Sequence, residues 1–508
     1  MINVDNSFLL QLAIIFPFLI GLILFLGNGI QIRIIKWVGF FGFLVPFLIS
    51  LWLAIAYGTV DRIDDYAYYS DLETGLQNFG ISLKLGLNGI SLPLFVLAGI
   101  VSFAAGLFAI NSNAQRLHLY LGLLLIMSGG LIGMFAAIDI FFFYFFHELA
   151  LVPTFIMIGI WGGKGRRSVA MELTIYLMLG AMLSLIGLIS IYSANEIDSF
   201  DLISLQNYLM ENPLSEIWQR NIFGILMVGF GILVSLFPFH TWAPKAYATA
   251  PTSVSMLHAG VLKKFGLYGL IQIAIPLLPS GANDWVMIMG ILALCNIVII
   301  GLITMAQKDL KMMVAYSSVM HMGYGFLGIV AMSVMGFGGS VLLMFAHGLS
   351  VALLFLLGSL VYQRTETYDM TMMGGLSQKA PILCGFFLAA VLANIGLPGF
   401  ANFWAEIVIF LSLWEYQPWM VFVAVLGVVI SAIYGLRAVA NIFFGQPREE
   451  FKERFERGDI KDITIRERIP VVVLLLGLIV IGFWPKLITE SLNDVYIENS
   501  VEVSAEEE

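Results

Sequence analysis

Long apolar runs recur along this chain and constrain its fold more than any other feature. Because a helix needs ~20 apolar residues to cross the hydrocarbon core of a bilayer, the runs predict an all-α polytopic membrane protein with about 14 transmembrane helices. The fourteen predicted spans cover residues 9–27, 34–57, 91–110, 117–134, 135–160, 169–192, 221–239, 252–278, 284–304, 309–331, 335–361, 380–413, 418–442 and 469–489.

Composition supports the same class of protein and excludes several others. The 508 residues are 60% hydrophobic and 12% charged, with a mean hydropathy of +0.93, whereas soluble chains are about 45–50% apolar and about 25% charged. A water-soluble enzyme, a disordered chain and a nucleic-acid binder are therefore excluded, and the lipid bilayer is the expected surrounding. Cys295 and Cys384 both lie in apolar runs, which predicts neither a disulfide framework nor a thiolate metal site.

The distribution of basic residues predicts the orientation. With the N-terminus placed outside, nineteen of the 25 lysines and arginines fall in inner connections or at the inner ends of spans, four fall on the outer side, and Lys263 and Lys264 lie deep within a span. Inner loops are the basic ones in membrane proteins, so both termini are expected on the outer side. The outer loops are acidic by contrast, from Asp61 to Glu73, around Asp198 and in the tail at Glu506–Glu508. The first run is preceded by Asp5 instead of a basic residue and lacks a small-residue cleavage site, so it is not expected to be a cleavable signal.

The spans group into five predicted regions. These are an N-terminal three-helix region (1–110), a first five-helix repeat (117–278), a second five-helix repeat (284–442), a charged inner-face segment (443–468), and a final helix with an acidic outer tail (469–508). Residues 446–468 are dense in mixed charge, with Phe451 and Phe455 four positions apart. That segment predicts either a short amphipathic helix on the inner face or a solvated connection.

Ionisable residues inside the spans are the candidate functional groups. Each costs roughly 2.5–3.5 kcal/mol at the bilayer centre on insertion scales, so its presence needs a reason. The candidates are Glu148, Glu172, Lys263, Lys264, Glu406, Asp309, Lys311 and Arg437, with the histidines His147, His240, His258, His321 and His347. Glu172 and the Asp309–Lys311 pair lie near the predicted inner face and fit ordinary interfacial charges equally well, and each histidine could simply bond a neighbouring carbonyl.

Glu148 is the most informative of these residues. It lies mid-span in FFFYFFHELALVPTF, too far from either end to extend its carboxylate to the interface. A carboxyl group there is either neutral or paired with a cation, and the two states differ by one proton. Lys263 and Lys264 supply possible cations, and Glu406 is a second deep carboxylate.

Helix-breaking residues interrupt spans seven and twelve. The first interruption reads LFPFHTWAPKAYATAPTS and contains Pro238, Pro244 and Pro251, whereas the second reads NIGLPGFANF and contains Pro398. Five spans separate them, and an odd offset inverts one unit relative to the other. Inverted repeats with broken helices are typical of ion-coupled transporters, so the sequence predicts two inverted five-helix repeats.

Motifs for cofactors are not found in the sequence. It contains no Gly-rich phosphate loop, no zinc spacing and no flavin or iron–sulfur ligand set. We therefore expect no redox chemistry and no nucleotide hydrolysis in this chain, and no cofactor of its own. Energy for uphill transport would come from an ion gradient or from partner subunits.

Several long motifs resemble a known family. They read FYFFHELALVPTFIMIGIWGG, FPFHTWAP, APTSVSMLHAGVLKKFGLYG, QKDLKMMVAYSSVMHMGY, FAHGLSVALLFLLGSLVY and NIGLPGFANFWAE. Over residues 90–490 the chain resembles the antiporter-like membrane subunits of respiratory complex I. The resemblance implies a bacterial cytoplasmic-membrane subunit that translocates protons when quinone is reduced elsewhere in an NADH-quinone oxidoreductase. NADH, FMN, iron–sulfur clusters and quinone would then lie on partner subunits, among them other antiporter-like subunits.

The same resemblance assigns roles to individual residues. Glu148 matches the glutamate of span five, Glu406 matches the acidic exit residue of span twelve, and Lys264 matches the lysine that connects the two halves. His321 and His347 match histidines on a central hydrophilic axis. The broken stretches are matched by Pro238, Trp242, Pro244 and Pro398, with His240 beside the first.

One departure from the family pattern is serious. The family has a lysine in span seven that pairs with the span-five glutamate, whereas this chain has Leu233 there, and Lys245 replaces an aspartate. Either Lys263 or His147 takes the cation role, or the pair is absent and the subunit pumps differently or not at all. Two other functions stay open: a subunit of a related sodium/proton antiporter or membrane-bound hydrogenase, and a structural subunit without transport.

Overall fold

The computed structural model describes residues 6–27, 29–194, 196–197, 199–458 and 460–490. The predicted acidic tail at Glu506–Glu508, Asp5 and Asp198 lie outside the described residues. Within the described part, twelve helices are long and apolar enough to cross a membrane. The prediction of an all-α polytopic membrane protein is confirmed in its main feature.

The N-terminal region holds three helices and a small sheet that the sequence analysis missed. Three short strands, β1 (Arg62–Ile63), β2 (Tyr66–Leu72) and β3 (Leu83–Leu87), form an antiparallel sheet in that order between spans two and three. The stretch YAYYSDL is rich in aromatic residues, which favour strands, and Tyr66 and Tyr68 are buried. The elements are α1 (Asn6–Leu26), α2 (Ile32–Ala56), β1 (Arg62–Ile63), β2 (Tyr66–Leu72), β3 (Leu83–Leu87) and α3 (Ser91–Ile110). We call the side of the molecule that carries this sheet the sheet face.

The next group of helices, which we call the first half, contains the first predicted interruption, which follows span seven. The helix of span eight is also irregular, because a 3₁₀ turn at Leu262–Lys264 and a π turn at Leu270–Ala274 divide it. The helices are α4 (Leu117–Ala136), α5 (Ile140–Trp161), α6 (Arg166–Ser193), α7 (Leu202–Glu211), α8 (Glu216–Val234), α9 (Trp242–Thr249), α10 (Thr252–Gly260), α11 (Phe265–Gly269) and α12 (Ile275–Leu277).

The following group, the second half, contains the second interruption. A π turn at Asn296–Ile300 lies in its first span. The helices are α13 (Pro279–Cys295), α14 (Gly301–Ala306), α15 (Leu310–Val330), α16 (Val334–Thr365), α17 (Pro381–Ile395), α18 (Ala401–Tyr416) and α19 (Pro418–Phe443). After it come α20 (Glu449–Arg457) and α21 (Ile465–Phe483).

Fourteen spans are predicted, whereas twelve helices among the described residues are long and apolar enough to cross a membrane. The difference lies in two of the predicted spans. The span predicted at 380–413 is the pair α17 and α18, each too short alone. Helix α21 begins with the charged run Arg466–Arg468. The total of fourteen spans therefore stays a prediction, as does the inverted repeat.

Helices α5 and α15 begin in the same way. Asp139 accepts hydrogen bonds from the first-turn amides of α5, and Asp309 does so for α15. An isolated antiparallel bridge joins Asp139 to Asp201, and an equivalent bridge joins Asp309 to Asp369. The two halves thus share a local device for fixing the start of a helix, which is consistent with a repeat.

The charged segment that the sequence predicts on the inner face contains the helix α20 (Glu449–Arg457). Phe451 in α20 is buried and its ring lies 6.1 Å from that of Phe455. The ammonium of Lys379 lies 5.2 Å from the Phe455 ring. The two phenylalanines of α20 therefore pack on this chain.

Candidate functional site

Lys263 and Lys264 lie in the 3₁₀ turn that divides span eight, and both are buried. Lys264 Nζ donates to Ala259 O at 2.7 Å, and Lys263 Nζ donates to Ser318 O at 3.2 Å. Lys263 also lies 5.5 Å from the ring of Tyr247. Two buried ammonium groups with only neutral acceptors would be costly, so this turn is a place where an amine can hold or release a proton.

Glu148 lies on α5 with a third of its side chain exposed at the surface of the chain. Its Oε1 is 3.6 Å from His147 Nδ1, and neither atom has a hydrogen-bond partner among the described residues. The His147 ring stacks on Phe265 at 3.8 Å, and Phe265 directly follows Lys264. His147 therefore stands between the carboxylate and the lysine turn.

Leu233 is buried in α8, and its side chain packs toward Gly180 of α6. The position where the family has a lysine is thus filled by apolar packing. Lys263 donates to Ser318 O of α15. Of the two proposed substitutes for the missing cation, His147 is the one beside Glu148.

Three buried histidines extend from the lysine turn into the second half. His258 stacks against Trp242 at 5.6 Å and interacts electrostatically with Lys263. The rings of His321 and His347 are perpendicular, with centroids 5.4 Å apart. Neither ring nitrogen of His347 has a hydrogen-bond partner among the described residues, so it is free to exchange a proton with either neighbour.

His321 is held between two backbone carbonyls. Its Nδ1 lies 2.8 Å from Ser317 O and its Nε2 lies 3.0 Å from Asn394 O. A neutral imidazole has one donor nitrogen only, whereas an imidazolium donates from both. Both contacts are therefore hydrogen bonds only when His321 is an imidazolium with a proton on each ring nitrogen.

Glu406 lies buried in α18, immediately beside the second interruption. A Cβ built on Gly396 would be 2.6 Å from Glu406 Oε2, and Gly396 has φ +84°. Tyr324 and Tyr434 lie within electrostatic range of this carboxyl. The break in span twelve thus makes room for a carboxyl group in the protein interior.

The predicted prolines, with His240 and Trp242, lie at the two helix breaks. Helix α8 ends at Val234, and α9 begins at Trp242, whose Nε1 donates to Ile232 O at 3.1 Å. Pro238 and the buried His240 lie in the connection, and Pro244 is in the first turn of α9. Pro398 lies in the equivalent connection between α17 and α18. Both predicted interruptions are therefore present as breaks in the helices.

The charges that fit an interfacial location are paired near helix ends. Lys245 Nζ lies 2.8 Å from Glu172 Oε1, and both side chains are partly exposed. Asp309 caps α15, and Lys311 Nζ donates to Ala250 O at 2.6 Å. These contacts give the residues an ordinary structural role.

Two uncharged amides near the breaks, Asn296 and Asn394, are not among the residues predicted from the sequence, because a neutral side chain in a span is not costly in the way an ionisable one is. Asn296 accepts from Phe237 N at 2.6 Å and donates to Ser235 O and Val319 O at 3.1 and 3.0 Å. Asn394 Nδ2 donates to the Tyr434 hydroxyl at 3.2 Å. An amide within an apolar run was the available signal. Among the described residues, no group of three metal-ligating side chains was found.

The geometry defines a membrane protein with buried titratable groups between two broken helices, and comparison with known proteins identifies the class. The family described as "NADH:quinone oxidoreductase/Mrp antiporter, TM" matches residues 137–431. The chain belongs to this family.

Individual relatives are consistent with that family. NADH-quinone oxidoreductase subunit M of Rickettsia bellii is 33% identical over 81% of this chain and 82% of the relative. NAD(P)H-quinone oxidoreductase chain 4 2 of a Synechococcus strain is 34% identical over 84% of this chain and 81% of the relative.

Solved structures show the same fold. A chain of respiratory complex I from Thermus thermophilus superposes with a TM-score of 0.85 at 28% identity, over 96% of this chain and 98% of that chain. A chain of the Mrp complex from Dietzia has a TM-score of 0.84 at 17% identity, over 97% of this chain and 98% of that one. The second likeness concerns the fold alone.

Proposed function

We propose that this chain is a proton-translocating membrane subunit of an NADH-quinone oxidoreductase, coupled to quinone reduction on other subunits. The observation that carries the proposal is a series of titratable side chains, all of them buried except the partly exposed Glu148. It runs from Glu148 through His147 and the lysine turn to the histidines of the second half, and it ends near Glu406. Its family and its relatives' names point to the same complex.

Each member of the series can exist in two protonation states with a nearby partner. Glu148 has His147 at 3.6 Å, and His347 lies within electrostatic range of both Lys264 and His321. A proton added to one member raises the cost of a proton on the next, because the charges are buried and weakly screened. In such a series, a change of protonation at one end alters the protonation of the groups at the other end.

The assembly follows from the same proposal. Other antiporter-like subunits would lie beside this one, and NADH, FMN, iron–sulfur clusters and quinone would be held by partner subunits. The third of Glu148 that is exposed on the isolated chain would face such a neighbour, since a bare carboxylate in lipid is costly. We place the protein in the bacterial cytoplasmic membrane with both termini outside, as the basic residues indicate, which puts the sheet face outside.

We also propose that the two halves are inverted five-helix repeats. The matched Asp139–Asp201 and Asp309–Asp369 bridges support this. So does the way each break begins: Ser235 and Gly396 both have left-handed backbones, with φ +67° and +84°. The five-region division of the chain rests on the same arrangement.

The test uses the intact complex in inverted membrane vesicles. We expect Glu148→Gln to abolish the share of NADH-driven proton uptake that this subunit contributes, because an amide cannot exchange the proton. Glu172→Gln is the matched control, since Glu172 is a partly exposed carboxylate in a surface pair. Full proton uptake by an assembled Glu148→Gln complex would contradict the proposal and would favour the structural role that Leu233 suggests.

The missing lysine calls for a second experiment. If His147 is the partner of Glu148, His147→Gln lowers proton uptake while Lys263→Met in the same assay acts independently of Glu148. Adding Leu233→Lys to the His147→Gln variant should restore uptake in part. A Lys263→Met defect that disappears in the Glu148→Gln background, with His147→Gln normal, would instead identify Lys263 as the substitute.

A further inference from the structure

Span eight carries polar side chains from the lysine turn toward the sheet face. Lys264, Tyr268 and Gln272 are four residues apart, which places them along one side of a helix. The eight residues from the first to the last rise about 12 Å. All three side chains are buried, and the proposed function uses only the first.

Tyr268 and Gln272 are joined to polar groups at the start of α3 and in the sheet. The Tyr268 hydroxyl interacts with the Ser91 hydroxyl. Asn88 Nδ2 donates to Gln272 Oε1 at 3.3 Å, and Gln272 Nε2 donates to the Tyr66 hydroxyl at 2.7 Å. Every one of these side chains is buried, and the two hydrogen bonds of Gln272 join span eight to β2 and to Asn88, just before α3.

Beyond Tyr66 the series reaches charged groups at the sheet face. Tyr66 lies within electrostatic range of Asp201, and Lys84 Nζ is 3.2 Å from Asp201 Oδ2. Asp201 Oδ1 is buried without a hydrogen-bond partner among the described residues. Lys84 has 18% of its side chain exposed, so this group is in contact with the aqueous phase.

The neighbouring Asp139 makes this group suited to exchanging protons near neutral pH. Burial raises the pKa of Asp139 to about 6, although amides of Phe142, Ser82 and Phe141 counteract the effect. Burial lowers the pKa of Lys84, but the charges of Asp201 and Tyr69 outweigh it and the net change is upward. An acid that titrates near neutral pH therefore lies beside an ammonium that stays charged.

We propose that Tyr268, Gln272 and Tyr66 form a proton path between Lys264 and the Asp201–Lys84 group of the sheet face, with Gln272 as its gate. This path rests on the proposed function, and it gives the first half its own connection to one aqueous side. A proton leaves the Lys264 ammonium, which becomes a neutral amine, and reaches a carboxylate of Asp201 or Asp139, which then releases it to water.

Gln272 is the gate because an amide does not relay a proton under these conditions. With its carbonyl bonded to Asn88 and its amide nitrogen bonded to Tyr66, it fills the path in the present state. The π turn around it changes the helical register locally, and such turns are frequent at functional sites. Breaking the two hydrogen bonds admits the water that connects Tyr268 to Tyr66.

The test measures NADH-driven proton uptake by the intact complex in inverted vesicles, relative to its quinone reductase rate. We expect Tyr66→Phe and Gln272→Leu to lose as much uptake as Glu148→Gln, and Gln272→Glu, which keeps a polar group there, to retain it. Tyr68→Phe is the matched control, because Tyr68 is buried in the same strand and donates to Leu53 O at 2.7 Å, away from the path.

The outcomes separate this inference from the proposed function. Normal uptake in Tyr66→Phe and Gln272→Leu, with uptake lost in Glu148→Gln, overturns the path and leaves the proposed function standing. Normal uptake in all three contradicts the proposed function as well. An equal loss in Tyr68→Phe and Tyr66→Phe shows that sheet packing is responsible, which also overturns the path.

Discussion

The two halves of the molecule break a helix in similar ways but place different chemistry at the break. In the first half, α8 ends at Val234, and Ser235 O and Phe237 N in the break that follows are hydrogen-bonded to the side chain of Asn296. In the second half, α17 ends at Ile395 and is followed by Gly396, whose missing side chain leaves space for the carboxyl group of Glu406. One break is held by an amide, and the other accommodates an acid. A shared backbone device therefore does not imply a shared role.

The acids of the two halves differ in the same way. Glu148 lies at the surface of the chain beside His147, whereas Glu406 is enclosed by the protein. The protonation of an enclosed acid depends on residues of its own subunit, whereas the protonation of a surface acid also depends on the neighbouring molecule that contacts it. We therefore expect the two ends of the polar series to respond differently to mutation, and the following predictions test that difference.

The largest effect is expected for Asn296→Leu. Three backbone groups at Phe237, Ser235 and Val319 lose their partner in a buried place, at a cost of about 3 kcal/mol or more. The thermal midpoint of the complex and the amount of assembled subunit should both fall. Asn111→Leu removes one hydrogen bond at an exposed position and should change neither. A stable Asn296→Leu complex would mean that the first break does not depend on this amide.

A pH-dependent effect is expected at Asp139. Its pKa is about 6 in the folded chain, against about 4 when unfolded, so the folded state binds the proton more tightly. Stability of the α5 start should fall as pH rises from about 4 to about 6, by at most about 3 kcal/mol, and stay level above that. Hydrogen exchange of residues 139–143, corrected for intrinsic rates, measures it. Asp139→Asn should remove this pH dependence. Asp309→Asn, at the equivalent cap of α15, is the control and should leave the pH dependence unchanged. A pH dependence that persists in Asp139→Asn would mean that another group causes it.

Gly396→Ala tests the acid in the second break. A left-handed backbone costs a non-glycine residue about 1–2 kcal/mol, and the new methyl group must displace Glu406 Oε2. We expect reduced stability of that size together with lost proton uptake. Gly385→Ala in the same helix is the control, because nothing lies within 4 Å of its Cβ. Reduced stability with normal uptake would separate Glu406 from translocation.

The smallest effect is expected for Ser235→Gly. Ser235 has φ +67°, which glycine adopts without penalty, and its carbonyl, which Asn296 bonds, is retained. Stability should stay level or rise by up to about 1 kcal/mol, with proton uptake unchanged. A marked loss of uptake would show that the serine hydroxyl has a function at the first break.

The sequence predicts the fold of this chain better than its site, for a physical reason. Apolar length alone specifies a span, so the spanning helices were predictable. Both breaks were predictable from prolines within the apolar runs, such as Pro238 and Pro398. The sheet was missed because Tyr66 and its neighbours lie in a short polar connection with no spanning run. Gln272 and Asn296 were missed because a neutral amide in a span can be an ordinary hydrogen-bonded residue. The exposure of Glu148 depends on which side of α5 faces the neighbouring helices, and one sequence does not contain that information.

The three hydrogen bonds of Asn296 also have a dynamic consequence. They join the end of α8, the connection after it and Val319 of α15 through a single side chain. Val319 is two residues from His321, whose contact with Asn394 O changes when its proton leaves. A displacement of α15 that follows this loss would pull directly on the first break. We therefore expect an opening of the second half to be transmitted to the first break through this one amide.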